Sequence, residues 1–248
     1  MKSALITGAN KGIGFETAKQ LLQAGFYVFI GSRDVAKGIK AVDQLKSEGL
    51  HQVEVIALDV TDDHSVKIAR EEVGKRIDAL DVLINNAGIN GGSPYTALEA
   101  RSDQFIATFN TNVFGVARVT QAFLDLLQKS PEPRIVNVST SVGSLALQSD
   151  QSDPNWPAYD YAKYAVYGSS KAALNMYTVH LAYELRGTTF KVNAVCPGYT
   201  STDFTFHQGG EVAVAGSRIV KYALIDQDGP TGQFFSEETN PETGEIPW

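Results

Sequence analysis

The chain has 248 residues, 43% of them hydrophobic and 20% charged, with a formal net charge of −7. That is ample length for one buried core, and the negative balance argues against nucleic acid, whose phosphates demand a basic face. No run approaches a membrane span, and Met1-Lys2 leads straight into an apolar strand rather than a secretory leader. The single Cys196 rules out an internal disulfide and fits a reducing cytoplasm.

Along the chain, short β-rich runs alternate with helical ones. Ser3–Thr7 reads as a strand, and Gly12–Ala24 as a helix with Ile13, Thr17 and Leu21 at every fourth position. Phe26–Gly31 is a strand, Val35–Glu48 a helix and Val53–Leu58 a strand. A polar helix over Asp62–Arg76 leads to the strand Ala79–Asn85. A long helix covers Asp103–Leu127, and the strand Arg134–Ser139 follows. Tyr167–Leu185 is helical and Phe190–Val195 a strand. Ser149–Ala158, Phe204–Gly210 and the residues after Asp226 read as irregular. The central strands are apolar throughout rather than alternating, the pattern of a parallel sheet covered on both faces. The expected fold is therefore α/β, a doubly wound parallel β-sheet of Rossmann type, as a single domain over residues 1–248. His51, His64, His180 and His207 show no metal-ligand spacing, so no metal is expected.

Between the first strand and the first helix lies Thr7-Gly8-Ala9-Asn10-Lys11-Gly12-Ile13-Gly14. Glycines there permit a tight turn and let backbone amides approach a pyrophosphate at the helix N-terminus. At the end of the second strand, a carboxylate would take the ribose 2′-OH of NAD and repel a 2′-phosphate. Here that strand ends Gly31-Ser32-Arg33, a neutral residue followed by a cation, and Lys11 adds a second cation inside the glycine loop. Both can face one phosphate, which favours NADP(H) as the cofactor; the alternative is two solvated surface cations. Asp34 is the expected N-cap of the second helix and should point away.

Tyr167-Gly-Ser-Ser-Lys171 places a phenol and an ammonium on one helix face. A nearby Lys⁺ stabilises the phenolate and lowers a tyrosine pKa that is ordinarily near 10, which suits an acid/base tyrosine. The same spacing recurs at Tyr159 and Lys163, so spacing alone leaves two candidates.

These segments together resemble the short-chain dehydrogenase/reductase family over nearly the whole chain. The glycine loop matches the family's TGxxxGxG. Leu58-Asp59-Val60 resembles its adenine-contacting segment, and Asn85-Asn86-Ala87-Gly88 is its NNAG. Asn112-Val113-Phe114-Gly115 matches its N-x-x-G. Ser139 ends the fifth strand as its catalytic Ser does, and Cys196-Pro197-Gly198-Tyr199-Thr200-Ser201-Thr202-Asp203 resembles its PGxxxTD. The resemblance implies a catalytic set of Asn112, Ser139, Tyr167 and Lys171. It implies cofactor contacts from Gly8, Asn10, Lys11, Gly12, Ile13, Gly14, Arg33, Asp59, Val60, Asn86, Ala87, Gly88, Pro197, Gly198, Thr200 and Thr202, with Tyr167 and Lys171 shared. Thr-Gly-Ala-Asn-Lys-Gly-Ile-Gly, Gly-Ser-Arg-Asp and the late Asp228–Phe235 stretch resemble the carbonyl-reductase-like branch. That branch implies NADPH-dependent reduction of aldehydes or ketones, with Tyr167 as general acid, Ser139 on the carbonyl oxygen and Asn112 positioning a water linking Lys171 to solvent. A kink in the helix is the other reading of Asn112. The alternatives are an NADP(+)-dependent alcohol dehydrogenase acting on a steroid, terpenoid or sugar alcohol, or an idle NADP-binding regulator.

In the family about two dozen residues separate the active Lys from the later Pro-Gly. Lys171 precedes Pro197 by 26 residues and Lys163 by 34, which favours Tyr167 over Tyr159. Ser139 and Tyr167 stand 28 apart, against about a dozen in the family, so an insertion near 148–164 is expected. The aromatics Trp156, Tyr159, Tyr161, Tyr164, Tyr199, Phe204 and Phe206 either line an apolar substrate pocket or pack the insertion onto the core. Residues near 199–225 form the expected substrate-loop region, with Gly209-Gly210 as a lid hinge. Cys196 reads as a small buried hydrophobe rather than a redox thiol. The expected partner is a small carbonyl or alcohol substrate, with neither nucleic acid nor membrane, in a monomer or homodimer rather than a tetramer.

Overall fold

The structure is a computed structural model that describes residues 1–150, 152 and 164–248. Its strands are β1 (Ser3–Thr7), β2 (Tyr27–Ser32), β3 (Val53–Ala57), β4 (Val82–Asn85), β5 (Arg134–Val138), β6 (Lys191–Val195) and β7 (Phe234–Phe235). They form one parallel sheet in the order β3-β2-β1-β4-β5-β6-β7. Helices α1 (Gly12–Gln23), α2 (Val35–Ser47) and α8 (Val212–Ala223) cover one face. The opposite face carries α3 (Asp63–Gly74), α5 (Gly115–Leu127) and α7 (Ala165–Glu184), with α4 (Ser102–Phe109) and the short α6 (Leu145–Ser149) at its margin.

The uniformly apolar strands follow from this layering. Successive side chains point to opposite faces, so Ala4 and Ile6 join the core under α1 and α8 while Leu5 joins the core under α3 and α5. Val28, Phe29 and Ile30 divide the same way, as do Val82, Leu83 and Ile84. In register, Leu5 lies between Phe29 and Leu83, all fully buried. Each such side chain stabilises the fold by about 1.5–3 kcal/mol.

The expected doubly wound sheet is therefore present, with differences in some of its elements. The helix expected over Asp103–Leu127 is broken by a π-helical turn at Asn110–Phe114. Asn112 lies within this π-helical turn. α6, α8 and β7 fall in stretches where no element was expected. Among the described residues, no helix is long and apolar enough to cross a membrane.

The sheet order reverses between β1 and β4, so a crevice opens beyond their C-terminal ends. The glycine loop after β1 and the Asn85–Gly88 segment at the end of β4 both lie there.

Candidate active site

The glycine loop needs its glycines for two separate reasons. Gly8 and Gly12 sit at φ +65° and +57°, a left-handed backbone that side chains disfavour. Gly14 is needed for close approach, since a methyl there would stand 2.5 Å from Asn86 Nδ2 and 2.9 Å from Ala9 Cα. Asn86 is held against the loop: its Nδ2 donates to Thr7 O (2.8 Å) and Gly8 O (3.3 Å). Thr7 Oγ1 in turn accepts from the Asn86 and Ala87 amides at 3.0 and 2.9 Å. The first turn of α1 has no side-chain cap and no acidic residue, whereas Asp34 and Asp62 cap α2 and α3. The N-terminal amides of α1 are thus left for an external acceptor, and Asn10, Lys11 and Ile13 surround them.

Arg33 follows β2 and is exposed. Asp34 caps α2 by accepting the Lys37 amide at 3.1 Å, as expected, and this bond foremost holds its carboxyl below the usual range. Lys11 extends instead to Asp203, 2.6 Å away across the loop, so the structure gives it an acidic partner that the sequence did not indicate. Asp59 sits after β3. Partial burial pushes its carboxyl up, but hydrogen bonds from Thr61 and the charges of Arg33 and Arg118 bring it below the ordinary value. Val60 is buried against Gly115, where a methyl would come within 2.9 Å of Val60 Cγ2. The Gly of the Asn112–Gly115 segment therefore serves close packing of the helix on this loop.

On α7, Tyr167, Lys171 and Asn175 recur every fourth residue and share one face. Lys171 is buried; its Nζ donates to Val138 O at 2.7 Å and lies 5.8 Å from the centroid of the Tyr167 ring. Burial lowers the pKa of the ammonium to about 8, against an opposing electrostatic contribution from Cys196. Ser139 continues β5, its amide donating to Val195 O (2.8 Å), and its hydroxyl donates to Asn175 Oδ1 at 2.6 Å. Asn112 is fully buried in the π turn. Its Oδ1 accepts the Ile89 amide (2.9 Å), and its Nδ2 donates to Ile89 O (2.9 Å) and Ser170 Oγ (3.0 Å). Gly88 lies between Asn112 and Lys171: a methyl on it would be 3.4 Å from Asn112 Oδ1 and 3.7 Å from Lys171 Nζ. The fold thus gathers Asn112, Ser139, Tyr167 and Lys171 from three separate elements at one edge of the sheet.

The segment after β6 forms the opposite wall. Arg218 of α8 donates to Pro197 O at 2.8 Å, and Glu238 accepts the Tyr199 amide at 3.0 Å, so the Pro197-Gly198 turn is braced from two sides. Thr200 Oγ1 donates to Gly198 O (2.9 Å), and Thr202 reaches over the glycine loop, 3.5 Å from where a Gly12 methyl would be. Phe204 packs on Tyr167 at a tilt, with ring centroids 5.4 Å apart and the planes at 57°. Phe206 is exposed at φ 54°. Tyr164 packs on Tyr95 at 4.9 Å. Tyr159, Lys163, Trp156 and Tyr161, with most of the expected insertion, lie outside the described residues. Cys196 is buried and carries a free thiol. No cluster of His, Cys, Asp and Glu among the described residues could hold a metal ion.

A family model described as short chain dehydrogenase matches residues 2–210. The chain belongs to the short-chain dehydrogenase/reductase family. It is 34% identical to the (-)-isopiperitenone reductase of Mentha piperita over 95% of this chain and 96% of that protein. The structure of salutaridine reductase from Papaver somniferum superposes with a TM-score of 0.82 at 32% identity, covering 95% of this chain and 100% of that one. NADPH-bound carbonyl reductase from chicken fatty liver superposes with a TM-score of 0.82 at 26% identity over 100% and 99% of the two chains. As a short-chain dehydrogenase/reductase, the chain is an oxidoreductase whose relatives are named as reductases and dehydrogenases.

The sequence reading assigned no role to three residues of this short-chain dehydrogenase/reductase site. Asn175 was signalled by its period with Tyr167 and Lys171. Asp203 ends the PGxxxTD match, but its pairing with Lys11, like the contact of Arg218 with Pro197, had no local signal, because loop closure brings these residues together.

Proposed function

We propose that the chain is an NADPH-dependent carbonyl reductase that converts aldehydes or ketones to alcohols by hydride transfer, with Tyr167 as the general acid. The observation that carries this reading is the buried Lys171 ammonium under the Tyr167 ring, one residue away from Ser139 through the Val138 carbonyl. Among the described residues Lys171 meets no carboxylate; burying such a lysine is costly, a cost that chemistry at a phenol explains better than packing does. It argues against an idle NADP-binding regulator.

The residues fit a dinucleotide. The uncapped N-terminus of α1, with Gly8 and Gly12 in left-handed conformations, suits a pyrophosphate. Arg33, placed after the neutral Ser32, suits a 2′-phosphate, with Lys11 released from Asp203 as a second cation. Asp59 and Val60 would hold the adenine end, Asn86, Ala87 and Gly88 the middle, and Pro197, Gly198, Thr200 and Thr202 the nicotinamide end. Solved neighbours with bound NADPH or NADP support the phosphorylated cofactor. When bound, the cofactor supplies the hydride.

The chain's own residues handle the proton. Tyr167 gives its phenolic proton to the carbonyl oxygen as negative charge develops there. A phenol ordinarily ionises near 10, so working near neutral pH needs about 3 pKa units, or about 4 kcal/mol in favour of phenolate. Lys171 contributes through a charge that burial has stripped of solvent screening. Ser139 stabilises the oxygen during the transfer. Asn112 fixes Ile89, Ser170 and the corner beside Gly88, where a water can connect Lys171 to solvent. Phe204 walls the substrate side of Tyr167 with an apolar ring. Run in reverse, the same residues oxidise an alcohol, and one relative is named a (+)-neomenthol dehydrogenase. NADPH consumption against a panel of aldehydes and ketones, with NADH in parallel, tests the reading. Turnover should require NADPH; a panel left unreduced with either cofactor would refute it.

A further inference from the structure

The proton inventory around Ser139 is fully determined by its neighbours. Asn175 is buried on α7, and its Nδ2 donates to Gly143 O at 3.1 Å. Gly143 cannot shift to release it. It closes a 3₁₀ turn through Thr140 O (2.8 Å), and a methyl on it would be 2.8 Å from the Lys171 backbone. The Asn175 amide is therefore oriented with Oδ1 towards Ser139, and the 2.6 Å contact must carry the serine proton. In the resting enzyme Ser139 thus has its one proton committed and turns lone pairs to the site.

We propose that Asn175 is a positioning residue that withholds the Ser139 proton from the ground-state carbonyl and releases it to the developing alkoxide. An amide oxygen accepts a hydrogen bond at least as well as a neutral ketone or aldehyde, so the arriving substrate gains nothing by competing for the proton. An oxygen that has taken on negative charge accepts about twice as strongly, and the hydroxyl then turns to it. Ser139 is in this way reserved for the transition state, the condition under which an interaction raises kcat rather than substrate binding. The proposal rests on the reading that Ser139 and Tyr167 meet the substrate oxygen.

The test is a double-mutant cycle on Ser139→Ala and Asn175→Leu, with kcat and the KM for the carbonyl measured at saturating NADPH. Ser139→Ala alone should lower kcat and leave the carbonyl KM within about twofold. Asn175→Leu frees the serine proton for the ground state, so its carbonyl KM should fall by about fivefold to tenfold, the worth of one net hydrogen bond. Adding Ser139→Ala to Asn175→Leu should return KM to the wild-type value. A residue that only supports the fold would raise KM or leave it alone, and would do so whether or not Ser139 is present. Either outcome overturns the proposal. Asn175→Ala carries the same expectation and replaces Asn175→Leu if that variant does not fold. A wild-type enzyme inert to every carbonyl would sink the functional reading and this proposal with it. Turnover with an unresponsive KM would sink this proposal alone.

Discussion

Lys171 makes a quantitative claim about stability that is independent of turnover. Burial moves its ammonium from the ordinary 10.5 to about 8. At neutral pH the folded, cofactor-free protein therefore bears about 3 kcal/mol for keeping this charge. Between these two values the unfolded chain holds the proton and the folded chain does not, so stability rises with pH across that window. Lys171→Met removes the titrating group and leaves every other one in place. The hydrogen bond lost at Val138 O is a constant offset, so the pH dependence of the difference isolates the ammonium. From pH 7 to pH 9, wild type should gain about 1.3 kcal/mol on Lys171→Met, read from urea unfolding of the two apo proteins. A difference that stays flat over that range would mean the ammonium is solvated and would remove the electrostatic basis for activating Tyr167.

Two further predictions concern the ends of the site. Arg33→Ala should raise the KM for NADPH by about tenfold to a hundredfold, the loss of one charged hydrogen-bonding partner, while the KM for NADH moves little; equal effects would show that Arg33 meets no 2′-phosphate. Asn112→Ala strips partners from both backbone groups of Ile89 and from Ser170, so the apo protein should lose about 2 kcal/mol in a denaturant titration. Unchanged stability would return Asn112 to a purely catalytic role.

The strands from β1 to β6 were readable because a sheet buried on both faces needs largely apolar runs, which Glu54 in β3, Asn137 in β5 and Asn193 in β6 interrupt only singly. β7 was not readable: two residues carry no period, and Phe234-Phe235 is a strand only through its bonds to β6. α8 was missed because Val212, Val214 and Val220 weaken a helix signal, and its buried stripe through Ala215, Ile219 and Ala223 is defined only by packing on α1. In the site, helix-face spacing left both Tyr167–Lys171 and Tyr159–Lys163 open, and it was the family resemblance that favoured the former and supplied Ser139 and Asn112. The Asn175 contact depends on where a 3₁₀ turn carries the Gly143 carbonyl, a tertiary fact without a local pattern. The Lys11–Asp203 pair spans 192 positions and depends on how the loop after β6 folds back.

The account turns on Tyr167 delivering the proton, and Tyr167→Phe tests this most directly. NADPH affinity, followed by fluorescence titration, should stay within about twofold, while carbonyl-dependent NADPH oxidation falls by about a thousandfold or more, the range of general acid catalysis. A Tyr167→Phe enzyme that binds NADPH and still reduces carbonyls at near the wild-type rate would contradict it.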